Sequence, residues 1–142
     1  MTELSLTVTK VIHADLETTF NAWLDQAILS SFILPKPGMP CPEVSTDPVT
    51  GGAFEIIMQV GDNRIPHHGV YRTIDSPHCL EFTWNSPFSA MDSEVRIEFA
   101  RIGVRETEVT LTHTRFPNQQ SRDNHEGGWT NILQSLGVYL QG

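Results

Sequence analysis

The chain is poor in positive charge: nine Lys and Arg stand against 17 Asp and Glu in 142 residues, a formal charge of −8. No run or helical face gathers those nine cations. Phosphate backbones and anionic lipid surfaces are held mainly through clustered positive charge, so neither nucleic acid nor a membrane surface is expected as a partner. Cysteine is scarce too. Cys41 and Cys79 lie in unlike contexts, with no C-x-x-C and no Cys/His cluster at ligand spacing, which argues against a disulfide framework or a zinc site and leaves two free thiols. No stretch approaches the ~18 consecutive apolar residues of a membrane span. The opening Met1-Thr2-Glu3-Leu4-Ser5 carries no basic lead into an apolar segment, so no membrane insertion and a cytoplasmic location are expected. A G-x-S-x-G elbow, a P-loop and a dinucleotide fingerprint are all missing; Gly51-Gly52 matches none of them, and no cofactor or metal is implied.

What is present reads as one domain spanning residues 1–142, with 39% hydrophobic and 18% charged residues, a globular balance expected to exist as a monomer or homodimer. The most informative stretch is Arg122 to Leu140. There His125, Trp129, Ile132, Leu133, Leu136 and Leu140 recur on one face of a long amphipathic helix. Gly127 and Gly128 interrupt it at about 1 kcal/mol each, which predicts that something packs closely against that turn.

Ahead of it, Leu4, Leu6 and Val8 alternate with polar residues as a strand whose phase breaks at Lys10. Asp15 is placed to cap a helix carrying Leu16, Phe20, Trp23 and Leu24, and a second short helix follows over Gln26 to Ser31. From Leu34 to Thr50 five prolines and Gly38 forbid a regular helix or a central strand, which predicts a long shaped loop. Alternating runs then predict a meander: Phe54, Ile56, Met58 and Val60; His68, Val70, Arg72 and Ile74; Leu80, Phe82 and Trp84; Val95, Ile97 and Phe99; Val109, Leu111 and His113. Strands apolar on one face need a cover, and the helices must supply it. The predicted class is α+β, a curved antiparallel sheet wrapped around the C-terminal helix, with two short helices after the first strand.

In this order the pieces resemble a known family. The opening strand running into Ala14-Asp15, Phe20-Asn21-Ala22-Trp23, Gly51-Gly52-Ala53-Phe54, His67-His68-Gly69-Val70-Tyr71, Leu80-Glu81-Phe82-Thr83-Trp84, Thr110-Leu111-Thr112-His113 and Gly128-Trp129 are together similar to the activator-of-heat-shock-protein-90-ATPase-like proteins. That family sits in the helix-grip superfamily with the START domains and the birch-pollen allergen. The resemblance covers nearly the whole chain and implies the helix-grip fold with an apolar cavity between sheet and helix; it implies no single ligand or reaction. Two departures bear on the mouth of any pocket: Ser31-Phe32 stands where a tryptophan pair is usual, and Pro48-Val49-Thr50 replaces an arginine-proline lead-in.

His68, His113 and His125 fall on phases predicted to face inward, near Tyr71 and Arg72 in sequence, either as polar fixtures of a pocket or as half-buried structural histidines. Phe54, Trp84, Phe99 and Trp129, with Phe32 and Leu133, would line a cavity or simply pack. His67 and His68 are adjacent and point to opposite faces, so they do not form a metal pair. Three readings of function follow. The first is a binding protein for a small apolar or amphipathic molecule. The second is a protein-interaction module, co-chaperone-like, with an exposed apolar patch around the proline-rich loop and Phe32. The third is a cyclase, dehydratase or hydrolase using His68, His113 or His125 as acid or base beside Tyr71 or Arg72.

Overall fold

The computed structural model describes residues 4–34, 39–87 and 93–141, with backbone only at 60 and 141. In chain order the elements are β1 (Ser5–Ile12), α1 (Leu16–Asn21), α2 (Gln26–Phe32), β2 (Glu43–Thr46), β3 (Ala53–Val60), β4 (Asn63–Asp75), β5 (Cys79–Trp84), β6 (Ser93–Gly103), β7 (Glu106–Thr114) and α3 (Gln119–Gln141). The strands form one seven-stranded antiparallel sheet in the order β1-β7-β6-β5-β4-β3-β2. Its curved inner face holds α3.

Helices as short as α1 and α2 do not stand alone in water, and caps and aromatic anchors hold them here. The Asp15 carboxylate accepts from the Thr18 amide at 3.3 Å, and Asp25 accepts from Ala27 and Ile28 at 2.9 and 3.1 Å. Phe20 meets Phe99 of β6 edge-on at 5.1 Å, which holds α1 to the sheet, and Trp23 meets Phe32 at 5.0 Å, which holds α2 to the end of α1.

In β1 the expected break at Lys10 does not occur. The strand runs on to Ile12 with Lys10 in phase with Leu6, Val8 and Ile12, because its aliphatic stem lies along α3. A Cβ at Gly137 would come within 3.3 Å of Lys10 Cε and 3.6 Å of Ile12 Cδ1. A close glycine approach between helix and sheet is thus found at Gly137. At Gly127, where the sequence predicts one, a Cβ would meet nothing within 4 Å.

The proline-rich stretch, expected as loop, contains β2, an edge strand that among the described residues pairs with β3 alone. An edge is where a strand hemmed by Pro42 and Pro48 can pair on one side. The Thr46 hydroxyl donates to the Leu24 carbonyl at 3.1 Å, and the Ser30 hydroxyl to the Pro42 carbonyl at 2.6 Å, tying this segment to α2 and the turn before it. Residues 35–38 lie outside the described residues.

β4 corrects a phase. The hairpin turn, with Gly61 at φ +62°, pairs Phe54 with Gly69, Ile56 with His67 and Met58 with Ile65. Directly paired residues share a face, so His67, Gly69 and Tyr71 point inward while His68, Val70 and Arg72 are exposed. The inward position of His68 read from the sequence is thus overturned. Gly69 sits where β4 passes from β3 to β5: a Cβ there would land on the Thr83 carbonyl oxygen and 2.9 Å from a Phe54 ring carbon. Only glycine lets these backbones cross so closely.

Candidate functional site

The C-terminal part of α3 lies against β1 and α2. Its N-terminal part stands away from β3 and β4, which leaves an open cleft of about 1040 Å³. The apolar floor comes from the sheet and the buried helix face: the paired Met58 and Ile65, then Trp84, Trp129 and Ile132, with Met39 at one end. The rim is polar and belongs mostly to α3, with Gln120, Ser121, Asp123, Asn124, His125 and Asn131. Gly127 and Gly128 also border the cleft. At Gly127 the expected contact is absent, and the helix there has a side without bulk beside the cleft.

Behind the floor lies a buried polar chain. Trp129 Nε1 donates to His113 Nδ1 at 3.0 Å, His113 Nε2 lies 2.9 Å from Ser93 Oγ, and Ser93 Oγ donates to the Trp84 carbonyl. Indole is only a donor, so His113 Nδ1 must accept. A neutral ring then carries its proton on Nε2 and donates it to Ser93, whose own hydrogen is already given to Trp84. Both nitrogens are satisfied in the neutral form alone. Burial, with a smaller contribution from His125, pushes the His113 pKa down to about 3. His113 therefore serves as a structural acceptor that fixes the Trp129 indole at the cleft.

His125 is half-buried and its Nδ1 donates to the Ser121 carbonyl at 2.7 Å. Burial lowers its pKa against the pull of that carbonyl. Phe116 packs against both rings, 4.4 Å from His113 and 5.1 Å from His125, and the two imidazoles meet edge-on at 5.2 Å. Arg115, at φ +71°, turns the chain out of β7 to put Phe116 there.

His67 differs from both. It is 8% exposed and borders the cleft, stacked obliquely on Trp84 at 5.1 Å, and its Nδ1 is sealed in with no hydrogen-bond partner. Burial pushes its pKa down to about 4, opposed by the nearby Ile56 and Ile65 carbonyls. The signal for His67 was in the sequence: once the turn is set at Gly61-Asp62, even positions of β3 face odd positions of β4.

Of the residues singled out from the sequence, Trp84, His125 and Trp129 meet at the cleft, with His113 directly behind them. Phe54 and Tyr71 join Phe82 in a neighbouring aromatic cluster with centroids 5.3 Å apart, and the Tyr71 hydroxyl is pushed up to about 12 by burial and, less, by the Asp47 charge. The void bordering that cluster, about 10 Å³, is no larger than one water needs. Leu133 is core, fully enclosed, while Phe32 and Phe99 pack under the short helices. Phe32 is wholly buried and adds nothing to the exposed apolar patch expected around it and the proline-rich loop, of which residues 35–38 lie outside the described residues. His68 and Arg72 are on the exposed face, so the acid-base group of His68, Tyr71 and Arg72 is not brought together. Among the described residues, no three His, Cys, Asp or Glu side chains are placed to hold a metal ion, and no helix is long and apolar enough to cross a membrane. The sequence reading missed Met39, Ile65, Ser93 and the polar rim of α3, whose residues are indistinguishable by type from a solvated helix face.

A curved antiparallel sheet closed around one long C-terminal helix, with two short helices after the first strand, defines a helix-grip protein. Within that class, the chain belongs to the Activator of Hsp90 ATPase homolog 1-like protein family, whose sequence profile matches residues 13–141. Solved structures agree on the fold. Protein CV1439 from Chromobacterium violaceum aligns with TM-score 0.84 at 17% identity, over 98% of this chain and 99% of that one. An AHSA1-like protein from Aeromonas hydrophila gives 0.80 at 19%, over 97% and 92%. PFC0360w, an Hsp90 activator from Plasmodium falciparum, gives 0.77 at 23%, over 97% and 96%. Identities this low carry the fold alone. No curated protein matches the chain. Family and fold together support a ligand-binding or Hsp90-activator-like module.

Proposed function

We propose that the protein binds a small amphipathic molecule in the cleft between α3 and the β3–β4 hairpin. The observation that carries this reading is the combination of an apolar floor of Met58, Ile65, Trp84, Trp129 and Ile132 with a polar rim from α3, in a space of about 1040 Å³. Small-molecule sites are typically of roughly this size, mostly apolar with a few placed polar groups. The indole of Trp129 is held in one orientation by His113, so the floor is preformed, and less ordering has to be supplied on binding. Native mass spectrometry of the purified protein, with a thermal-shift panel of fatty acids, sterols and aromatic metabolites, tests it. A retained mass or a ligand-dependent rise in Tm is expected. No bound mass and no shift with any class refutes it.

The family match over residues 13–141 favours a second reading, an Hsp90-activator-like interaction module. It predicts that the purified chain raises the ATPase rate of purified Hsp90. An unchanged rate at saturating protein removes this reading and leaves the first untouched.

A further inference from the structure

The rings of His67, Trp84 and Trp129 form a continuous aromatic wall, with neighbouring centroids 5.1 and 5.0 Å apart. Such a wall suits a flat apolar body. Its electrical surroundings are equally specific. Among the described residues bordering the cleft there is no Lys or Arg, and the one carboxylate, Asp123, is tied to Gln119 at 2.8 Å and Arg122 at 3.0 Å. Arg122 does not border the cleft; its guanidinium is taken by the Ser5 carbonyl, Asp123 and Glu126. At the start of α3 the Asn118 side chain accepts from the Ser121 amide at 2.8 Å, which takes up one of the free amides of that helix end. Among the described residues bordering the cleft, an anion that sheds its water finds no Lys or Arg to pair with.

One polar group on the floor is unsatisfied. The His67 Nδ1 has no hydrogen-bond partner and is walled off from solvent, with the Ile56 and Ile65 carbonyls near the ring. That leaves Nε2 as the nitrogen its open edge presents to the cleft. A neutral imidazole offers there either a lone pair or an N–H, and a hydroxyl, being both donor and acceptor, pairs with either tautomer.

We propose that the cleft selects an uncharged, planar, hydroxyl-bearing molecule over its carboxylate analogue, with His67 as the residue that reads the hydroxyl. This rests on the cleft being the ligand site. The test uses three matched probes at pH 7.5: 2-naphthol, 2-naphthoate and 2-methylnaphthalene. Their binding is followed by the shifts of the Trp84 and Trp129 indole N–H resonances in 15N-labelled protein. In the native chain 2-naphthol is expected to bind at least tenfold tighter than 2-naphthoate and about tenfold tighter than 2-methylnaphthalene, the range of one hydrogen bond. His67→Phe is expected to abolish the second preference and keep the first; His67→Gln, which retains a donor and an acceptor, is expected to keep both. If 2-naphthoate binds as tightly as 2-naphthol, the selectivity inference fails while the cleft remains a ligand site. If the preference for hydroxyl over methyl survives in His67→Phe, the role of His67 is wrong. If no probe moves either indole, the cleft reading fails, and the inference with it. The native-protein ranking decides the charge selectivity whether or not His67→Phe folds.

Discussion

Lowering the pH from 7.5 to 5 should destabilise this protein, and the two buried histidines set by how much. In the folded chain burial holds His113 at about 3 and His67 at about 4, against about 6.5 for an imidazole in an unfolded chain. Both folded values are depressed, so the unfolded state takes up protons first as the pH falls. The stability is fully present above about pH 6.5 and is lost on the way down, with the loss levelling off only near pH 4 to 3. Between pH 7.5 and 5 each group contributes a loss of about 2 kcal/mol, roughly 4 kcal/mol together, out of a typical 5–15. His125 acts in the same direction. The carboxylates with lowered pKa, Asp15, Glu43, Glu81 and Asp123, release their contributions below about pH 4 and do not enter this window. Urea unfolding followed by tryptophan fluorescence measures the effect: with a slope of about 2 kcal/mol per M, the midpoint should drop by about 2 M. The cause is specific, since a proton on His113 Nδ1 would oppose the Trp129 indole N–H already aimed at it. Equal midpoints at pH 7.5 and 5, or an NMR titration placing His113 near 6.5, would refute the neutral-acceptor assignment.

Other substitutions separate positions that look alike in sequence. Gly69→Ala should cost more than about 3 kcal/mol or prevent folding, because its methyl would meet the Thr83 backbone, whereas Gly127→Ala should stabilise by about 0.5–1 kcal/mol through helix propensity alone; thermal melts compare the pair. His67→Phe should leave stability unchanged or raise it by about 1 kcal/mol, since it removes an unpaired buried nitrogen, while His68→Ala on the exposed face should stay within about 0.5 kcal/mol in urea titrations. Trp129→Phe should cost about 2–4 kcal/mol, combining lost volume with an unpaired His113 Nδ1, and should lift the His113 pKa toward the ordinary range in an NMR titration.

The architecture was legible wherever one period dominated. Leu80, Phe82 and Trp84, Val95, Ile97 and Phe99, and Val109, Leu111 and His113 all bury the predicted face, and Trp129, Ile132, Leu133 and Leu136 bury the predicted stripe of α3. Asp15 caps the helix it was expected to cap. Local pattern failed where pairing decided the outcome. In β4 both alternations contain plausible core residues, and only the cross-strand partners Ile56 and Phe54 fix His67 and Gly69 inward. Lys10 belongs to an apolar face for a reason carried by Gly137, far along the chain. The Gly127-Gly128 pair showed that α3 is unusual there, but a glycine reads the same whether it meets a neighbour or borders a cleft. The cleft itself depends on how far one end of a helix stands from a hairpin, a distance that no residue type encodes.

The sheet order has a consequence for how this molecule comes into being. β1, at one edge, pairs with β7, so Thr7 and Thr112 touch across 105 residues of sequence, and the Arg122 guanidinium then bonds the Ser5 carbonyl. On a ribosome the first strand must wait, its hydrogen-bonding edge unmatched, until almost all later strands have been synthesised. Folding limited by such distant pairings belongs to the slow end, milliseconds to seconds, and the waiting strand is the segment most open to pairing with the wrong neighbour. Its alternating Ser5, Thr7 and Thr9 keep one face of that strand polar while it waits.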